Sequence, residues 1–531
     1  MINFHRTPRR ILSLCIASTL AAAASFAAAQ TLARPGWVGS GITTDIWWKR
    51  AIIYQINPID FSPAGDSPLH GIVHRLDYIH SLGTDAILLT HLQSDPAHAE
   101  AIDPALGSLD DLDDLLRQAS SRHLRVLLDL DPAIPSADLP DVARFWLNRG
   151  IAGFHLSGSS DTLHNQTATL RTTTASYLGQ RILIADSPVE QISTATAKSE
   201  TATSSQLHAQ TEPEATARPG HHAHSRSRRH SHSHSSSQST TQANTQTSAV
   251  TPSQTASASS TQTQSTTHTQ VHTALDTHSP QLLLNDRIGT ITSLSAAAIR
   301  PVIDDLQSVQ QAGHSLPLLA TDGLGFTRSM SRYSDGVHDL AIAKLLATLL
   351  FTTHAESLIY YGQELGVRNS TEPNATTPLI LWDAPPPTKP APTNETYIPY
   401  KPPTTSATPN AALEDTDPDS LLNWYRQLSS IHHGNATLAT GTSLTINRDD
   451  QNVLVIVRKP KVVSASSPVL ILLFNLTAQP VQLSLKADTT KLGLRGSFLK
   501  TVLRSYEGMG TMNLEQMTLP AYGAYIGELR Y

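Results

Sequence analysis

The sequence has almost no cysteine and few aromatic residues. Cys15 is the single cysteine among 531 residues. The chain beyond it therefore needs no disulfide and offers no thiolate ligand to a metal ion. Aromatic residues make up only 5% of the chain, so part of it must lack a well-developed core. The formal net charge of -6 is modest and gives no sign of a nucleic-acid partner.

The N-terminus has the layout of a secretory signal peptide. Basic residues at Arg6, Arg9 and Arg10 precede a mostly apolar stretch over residues 11–24, and small alanines follow up to Ala29. This pattern predicts a signal peptide over residues 1–29 and export to the periplasm or the extracellular space. An uncleaved anchor is the less favoured alternative, because the apolar run is short and rich in alanine. We expect no membrane span after cleavage.

Short apolar runs alternate with amphipathic stretches as far as about residue 188. Five predicted strands share a continuous apolar character, and they cover residues 51–56, 85–89, 125–130, 152–156 and 181–185. Predicted helices lie between them, over residues 72–82, 109–121 and 142–149. Alternation of this kind predicts parallel βα units, and continuous apolar strands fit a sheet that is covered on both faces.

A low-complexity tract interrupts this pattern over residues 191–279. It consists largely of Ser, Thr, Gln, Ala and His, with too few bulky apolar residues to offset chain entropy, so we expect an unfolded insert. Histidines cluster at residues 221–224 and 230–234 and offer loose binding of a divalent metal as one interpretation. A spacer with incidental histidines is the favoured interpretation.

Regular structure is predicted again from about residue 280. The apolar spacing indicates helices over residues 297–312, 339–351 and 420–432, and strands over residues 316–320 and 358–362. The tail then changes character, because short apolar strands separated by turns follow one another from residue 453. This pattern indicates an all-β module over residues 436–531.

Several segments resemble the α-amylase superfamily, glycoside hydrolase family 13. The stretch Trp47–Ile56 is similar to the first barrel strand of its α-glucosidase, oligo-1,6-glucosidase and trehalose-synthase branch, and Ile359–Gly366 is similar to the last strand and its loop. The resemblance implies a (β/α)8 TIM barrel in two parts, residues 38–190 and 280–435, followed by a β-sandwich. The insert would interrupt this barrel.

The resemblance also implies where the catalytic residues should lie, and several are substituted. Ser157 stands at the position of the nucleophilic Asp, and His155 stands where the family has Arg. Asp186 occupies the acid/base position in place of Glu, and Asp322 is the possible transition-state stabiliser. His155 and Arg328 are the expected substrate-binding residues. A serine is a poor nucleophile without an adjacent base.

Two functions remain open at this point. The first is a catalytically impaired protein that binds α-glucosides, α-glucans or maltooligosaccharides, or acts as an interaction protein. The second is an active, divergent glycoside hydrolase or transglycosidase that uses Asp186 and Asp322. The loop after the third strand favours the first, since Asp131-Pro132 replaces the Asn-His of the family and its inserted domain is missing. We expect no cofactor, no metal centre and no nucleic-acid partner.

Overall fold

The structure, a computed structural model, describes most of the chain outside its N-terminus and the low-complexity tract. The described residues are 46–61, 67–93, 95–187, 279–369, 380–383, 410–508 and 510–531. The predicted signal peptide and residues 191–278 of the predicted insert lie outside them, and so does most of the loop over residues 370–409. Within the described ranges, no helix combines the length and the apolar character that crossing a membrane requires.

Eight parallel strands close into a barrel in sequence order, as predicted. They are β1 (Ile52–Ile56), β2 (Ala86–Leu89), β3 (Arg125–Leu130), β4 (Gly153–Leu156), β5 (Ile182–Asp186), β6 (Leu282–Asn285), β7 (Leu316–Ala320) and β8 (Glu356–Tyr360). The last strand pairs with the first, with Gln55 opposite Tyr360. The predicted TIM barrel is therefore confirmed.

The helices of this part pack around the barrel. They are α1 (Pro58–Phe61), α2 (Pro68–His74), α3 (Leu76–Ser81), α4 (Leu109–Ser121), α5 (Leu139–Arg149), α6 (Ser160–Ala175), α7 (Ala296–Ala312), α8 (Ser329–Arg332), α9 (Asp339–Thr352), α10 (Ala411–Thr416), α11 (Leu421–Gly434) and α12 (Ala436–Thr440). Helix α4 illustrates why they form, because Ser108 and Asp111 make a capping box at its start and Leu112, Leu115 and Ala119 share its buried face.

Alternate strand residues divide the barrel core into an inner and an outer layer. Inside the barrel, Ile53, Leu88, Leu127 and Ile184 belong to one apolar cluster. Their strand neighbours point outward and join the helices in a larger cluster. This division explains why the strands read as continuous apolar runs, since both faces are buried.

The main differences from the predicted elements of the barrel are one divided helix, one unpredicted long helix and one unpredicted strand. The helix expected over residues 72–82 is two helices, because the backbone leaves the helical region at Arg75 (φ -108°, ψ 6°). Helix α6 was not predicted, because its buried face includes Gln166, Thr167 and Thr173 and so lacks a strong apolar period. Strand β6 was missed as well, since its apolar run is short and directly follows the low-complexity tract.

The C-terminal part consists mainly of β-strands, as predicted, and its sheets are antiparallel. Its elements are β9 (Thr442–Ile446), β10 (Val453–Lys459), β11 (Leu470–Asn475), β12 (Val481–Leu483), α13 (Lys486–Lys491), β13 (Phe498–Arg504), β14 (Met512–Asn513), β15 (Met517–Leu519) and β16 (Ala524–Arg530). A six-stranded sheet has the order β14-β13-β16-β11-β10-β9, and β12 pairs with β15. Leu454 and Ile456 face the barrel helices, whereas Val455 and Val457 face a separate core.

Candidate active site

The inner layer of the barrel changes from apolar to polar towards the carboxyl ends of the strands. Gln55, Asp129 and His155 follow Ile53, Leu127 and Gly153 at two-residue spacing on β1, β3 and β4. Asp186 extends the same series on β5, beyond Ile184. In barrels of this kind the active site lies at this end, so these side chains define the candidate site.

His155 is the centre of a buried cluster of charged groups. Its Nδ1 lies 2.7 Å from Oδ1 of Asp129, and its Nε2 lies 3.0 Å from Oδ1 of Asp186. The strand register places them there, because Asp129 is opposite His155, which is in turn opposite Ile184. The imidazole is nearly buried at 8% exposure, whereas 35% of the Asp186 side chain is exposed. Asp186 is therefore the open end of the cluster.

The two carboxylates keep His155 charged at neutral pH. Burial alone would lower the pKa of the imidazole, but the hydrogen bonds and charges of Asp129 and Asp186 outweigh it and raise the pKa to about 10. Both ring nitrogens then carry protons, so each donates to one carboxylate. His155 thus bridges two acids with a single positive charge.

Asp286 is a further acidic residue of this site that the sequence analysis missed. It follows β6, two residues beyond Leu284, which is opposite Asp186 in the strand register. Burial is the largest influence and raises the pKa of Asp286. The charge of Asp186 raises this pKa further, and the charge of His155 lowers it. A carboxyl group whose pKa is raised beside another acid matches the pattern of an acid/base pair.

Ser157 lies immediately after β4 and is partly buried. The next residue, Gly158, has φ 142°, and Ser159 begins helix α6 by accepting a hydrogen bond from the Thr162 amide. The predicted nucleophile position is therefore a strand-to-helix turn. The Ser157 side chain is a neutral hydroxyl, which cannot stabilise an oxocarbenium ion by charge.

Asp322 has a structural environment. It is 3% exposed, and its two carboxylate oxygens accept hydrogen bonds from the amide and the hydroxyl of Ser329 at 2.6 and 2.8 Å. Arg332 Nη2 lies 3.5 Å from Oδ1. Burial raises the pKa of Asp322, and Ser329 and Arg332 oppose this rise. These contacts anchor helix α8, and the role of transition-state stabiliser stays a prediction.

Arg328 is also interior, at 3% exposure. Its Nη1 donates to the Tyr361 carbonyl at 2.7 Å, and its guanidinium lies 4.6 Å from the ring centres of Tyr360 and Tyr361. The neighbouring Glu364 is fully buried and accepts hydrogen bonds from the hydroxyls of Tyr54 and Tyr78, each at 2.7 Å. The contacts of Arg328 with Tyr360 and Tyr361 give it a structural role, and its contact with substrate stays a prediction.

The loop after β3 is short. Residues 131–138 connect β3 to α5, and Asp131 closes a turn by accepting a hydrogen bond from the Ala133 amide at 2.8 Å. No additional domain lies between this strand and this helix. The cluster around His155 therefore has less cover on this side than an inserted domain would give it.

In the part of the chain that the structure describes, no group of three or more His, Cys, Asp or Glu side chains is arranged to hold a metal ion. His155 is unsuitable as a ligand, because both of its nitrogens are engaged by carboxylates.

Residues 45–133 match the family model described as "Alpha amylase, catalytic domain". The predicted resemblance to the α-amylase superfamily is confirmed. The chain is 43% identical over 95 residues to trehalose-6-phosphate hydrolase of Escherichia coli (strain K12), which is 16% of this chain and 17% of that protein. It is 39% identical over 95 residues to glucan 1,6-alpha-glucosidase of Streptococcus dysgalactiae subsp. equisimilis, which is 16% of this chain and 18% of that protein.

The likeness in fold extends well beyond the segment that matches in sequence. The crystal structure of Bacillus licheniformis trehalose-6-phosphate hydrolase superimposes with a TM-score of 0.63, covering 92% of this chain and 100% of that chain at 15% identity. At this identity the likeness concerns the fold alone. The match to the family model ends at residue 133, so it includes Asp129 but not His155, Asp186 or Asp286.

Proposed function

We propose that this chain is an exported member of the α-glucosidase-like hydrolase family that binds α-glucosides without hydrolysing them. One observation carries the proposal: His155 engages the carboxylate at the acid/base position, while a serine stands at the nucleophile position. Retaining hydrolysis needs one carboxylate that attacks the anomeric carbon and one carboxylic acid that protonates the leaving oxygen. Neither requirement is met by Ser157 together with Asp186.

The acid role fails for Asp186 because of its partner. His155 is protonated at neutral pH, and its Nε2–H donates to Asp186 Oδ1 at 3.0 Å. Oδ1 of Asp186 is thus held as an acceptor by the imidazole, which opposes its use as a proton donor to a leaving group. The nucleophile role fails for Ser157, since a serine hydroxyl needs a neighbouring base, and the imidazolium of His155 accepts no proton.

Binding of a sugar is still supported by the same residues. Asp186 is partly exposed, and Asp286 is only partly buried beside it. Carboxylate oxygens accept hydrogen bonds from sugar hydroxyls, and charged acceptors make the stronger bonds. Relatives of the matched segment are named for α-glucosidase and trehalose-6-phosphate hydrolase activities, so the ligand proposed here is an α-linked glucoside.

A second function, divergent hydrolysis, is favoured by Asp286. Its raised pKa makes it a candidate general acid, and Asp186 is the neighbouring carboxylate. In this mechanism Asp286 would protonate the leaving oxygen and Asp186 would be the base or the nucleophile. The two functions differ in one measurable outcome, which is turnover.

Binding without turnover is the expected result for the wild-type protein. We expect calorimetry to detect binding of maltotriose, while p-nitrophenyl α-glucoside, maltose and maltooligosaccharides stay intact. Asp186→Ala should weaken binding about tenfold or more, since it removes a charged acceptor. Asp141→Ala is the control, because that side chain is 79% exposed on helix α5 and should leave binding unchanged.

Two results would contradict the proposal. Turnover by the wild-type protein that disappears in both Asp186→Asn and Asp286→Asn would establish the hydrolase. Neither binding nor turnover with any of these sugars would reject α-glucosides as ligands.

Export is proposed from the sequence of the N-terminus. Expression in a bacterial host with a functional secretion pathway should yield a mature protein that begins near Gln30, because cleavage is expected after Ala29. N-terminal sequencing of the purified protein measures this directly. Replacement of Ala27 and Ala29 by arginine should block cleavage, and an uncleaved wild-type N-terminus in the exported fraction would argue for an anchor.

A further inference from the structure

Two histidines on helix α2 lie one helical turn apart, away from the candidate active site. His70 and His74 are both exposed. Their Nε2 atoms are 3.3 Å apart, and their ring centres are 4.5 Å apart at an interplanar angle of 79°. Residues four apart share one face of a helix, so the backbone itself brings these side chains together.

The separation of the two nitrogens suits chelation of one metal ion. With metal–nitrogen distances of about 2.1 Å, nitrogens 3.3 Å apart subtend roughly 104° at the metal, which is close to the tetrahedral angle. Two histidines at this helical spacing supply the pair of imidazole ligands in known zinc sites. Imidazole also suits Cu²⁺ and Ni²⁺.

The helix that carries the pair is fixed independently of any metal. Ser67 caps it by accepting a hydrogen bond from the His70 amide at 3.3 Å, and Pro68 occupies its first turn. Leu69 and Ile72 are buried on the opposite face, and the Leu69 amide donates to the Leu106 carbonyl at 3.1 Å. Both ligands therefore sit on a packed element, which reduces the ordering cost of binding.

We propose that His70 and His74 form a two-histidine site for a divalent transition-metal ion, with water at its remaining positions. Within the described ranges no third His, Cys, Asp or Glu completes a larger group, so the protein supplies two ligands. Affinity should follow Cu²⁺ above Ni²⁺ and Zn²⁺, because both ligands are imidazoles. Mg²⁺ and Ca²⁺ prefer oxygen ligands and should not bind.

A site-specific measurement is needed, because the chain has 24 histidines, including those of residues 221–234, and added metal ions reach all of them. Diethyl pyrocarbonate modifies free imidazole nitrogens, and mass spectrometry assigns each modified residue. With CuCl₂ or NiCl₂ in excess over all histidines of the full-length protein, modification of His70 and His74 should slow at least about tenfold. The exposed His164 on helix α6 is the internal control and should change less than twofold.

A paired variant makes the proposal falsifiable through stability as well. Metal that binds the folded helix raises the Tm, and we expect a rise of about 2–4 °C at saturating Ni²⁺. This increment should vanish in His70→Gln/His74→Gln and persist in His164→Gln, while the Tm without metal stays unchanged in all three proteins. Unchanged labelling of His70 and His74 with Cu²⁺ and Ni²⁺, or equal protection by Mg²⁺, would overturn the proposal.

Discussion

Replacing His155 by leucine should lower the free energy of unfolding by about 3–5 kcal/mol at pH 7, because it removes one partner of buried ion pairs. Asp129 and Asp186 would then face each other across the barrel without the charge that separates them. Asp129 is only 20% exposed, so water cannot replace the lost hydrogen bond fully. Asp186 is 35% exposed and better solvated, which places the expected loss towards the lower end of the range. Urea unfolding followed by circular dichroism measures the difference.

The stability that His155→Leu loses should depend on pH in a defined direction. The pKa of His155 is about 10 in the folded protein and 6.5 in the unfolded chain, so the folded state binds this proton more tightly. The stabilisation by His155 is therefore fully present below pH 6.5 and disappears as the pH rises towards 10. The acidic groups that face the imidazole are Asp129 and Asp186, which are its hydrogen-bond partners, and Asp286, whose charge also interacts with it.

Two further variants test whether charge is the cause. In His155→Leu/Asp186→Asn one carboxylate is neutral, so part of the lost stability should return, and the combined effect should be smaller than the sum. His155→Arg keeps a cation and should lose less than His155→Leu. A stability of His155→Leu equal to that of the wild type from pH 6 to pH 10 would contradict the ion-pair interpretation.

The barrel is predictable from the sequence because the signal for each strand and helix is local. Each apolar strand and each helical period is contained in a short segment, and parallel βα units follow from their alternation. The apolar pattern does not predict the helix at Ser160–Ala175, because threonine and glutamine occupy much of its buried face. Helix formation there depends on tertiary contacts rather than on an apolar stripe.

The chemistry of the site was less predictable, because it depends on register. Asp129 and Asp186 belong to strands on either side of His155, and only the pairing of Asp129 with His155 and of His155 with Ile184 places both at the imidazole. The alignment of motifs identified Asp186 and His155 as positions but not as partners. Asp286 was not predicted as a site residue because strand β6 was not recognised. An acidic residue two positions after an apolar run is nevertheless a usable signal for a site at the end of a strand.

The second large loss of stability is expected from a substitution where the C-terminal sheet meets the barrel. Arg458 on β10 is fully buried, and burial lowers its pKa to about 9. Its guanidinium donates to the carbonyls of Thr352 at 3.0 Å, Leu438 at 2.5 Å and Gly441 at 3.2 Å. Thr352 ends helix α9 of the barrel, so one side chain links two parts of the fold.

Arg458→Ala should lower the free energy of unfolding by about 3–5 kcal/mol, since it leaves a cavity and three carbonyls without their donor. Arg458→Lys should fall between this variant and the wild type, because one ammonium cannot span all three acceptors. Arg448→Ala is the matched control: its partner is Asp304, its side chain is 54% exposed, and its loss should cost less than about 1 kcal/mol. Equal stabilities of Arg458→Ala and Arg448→Ala would show that the buried guanidinium does not hold the sheet to the barrel.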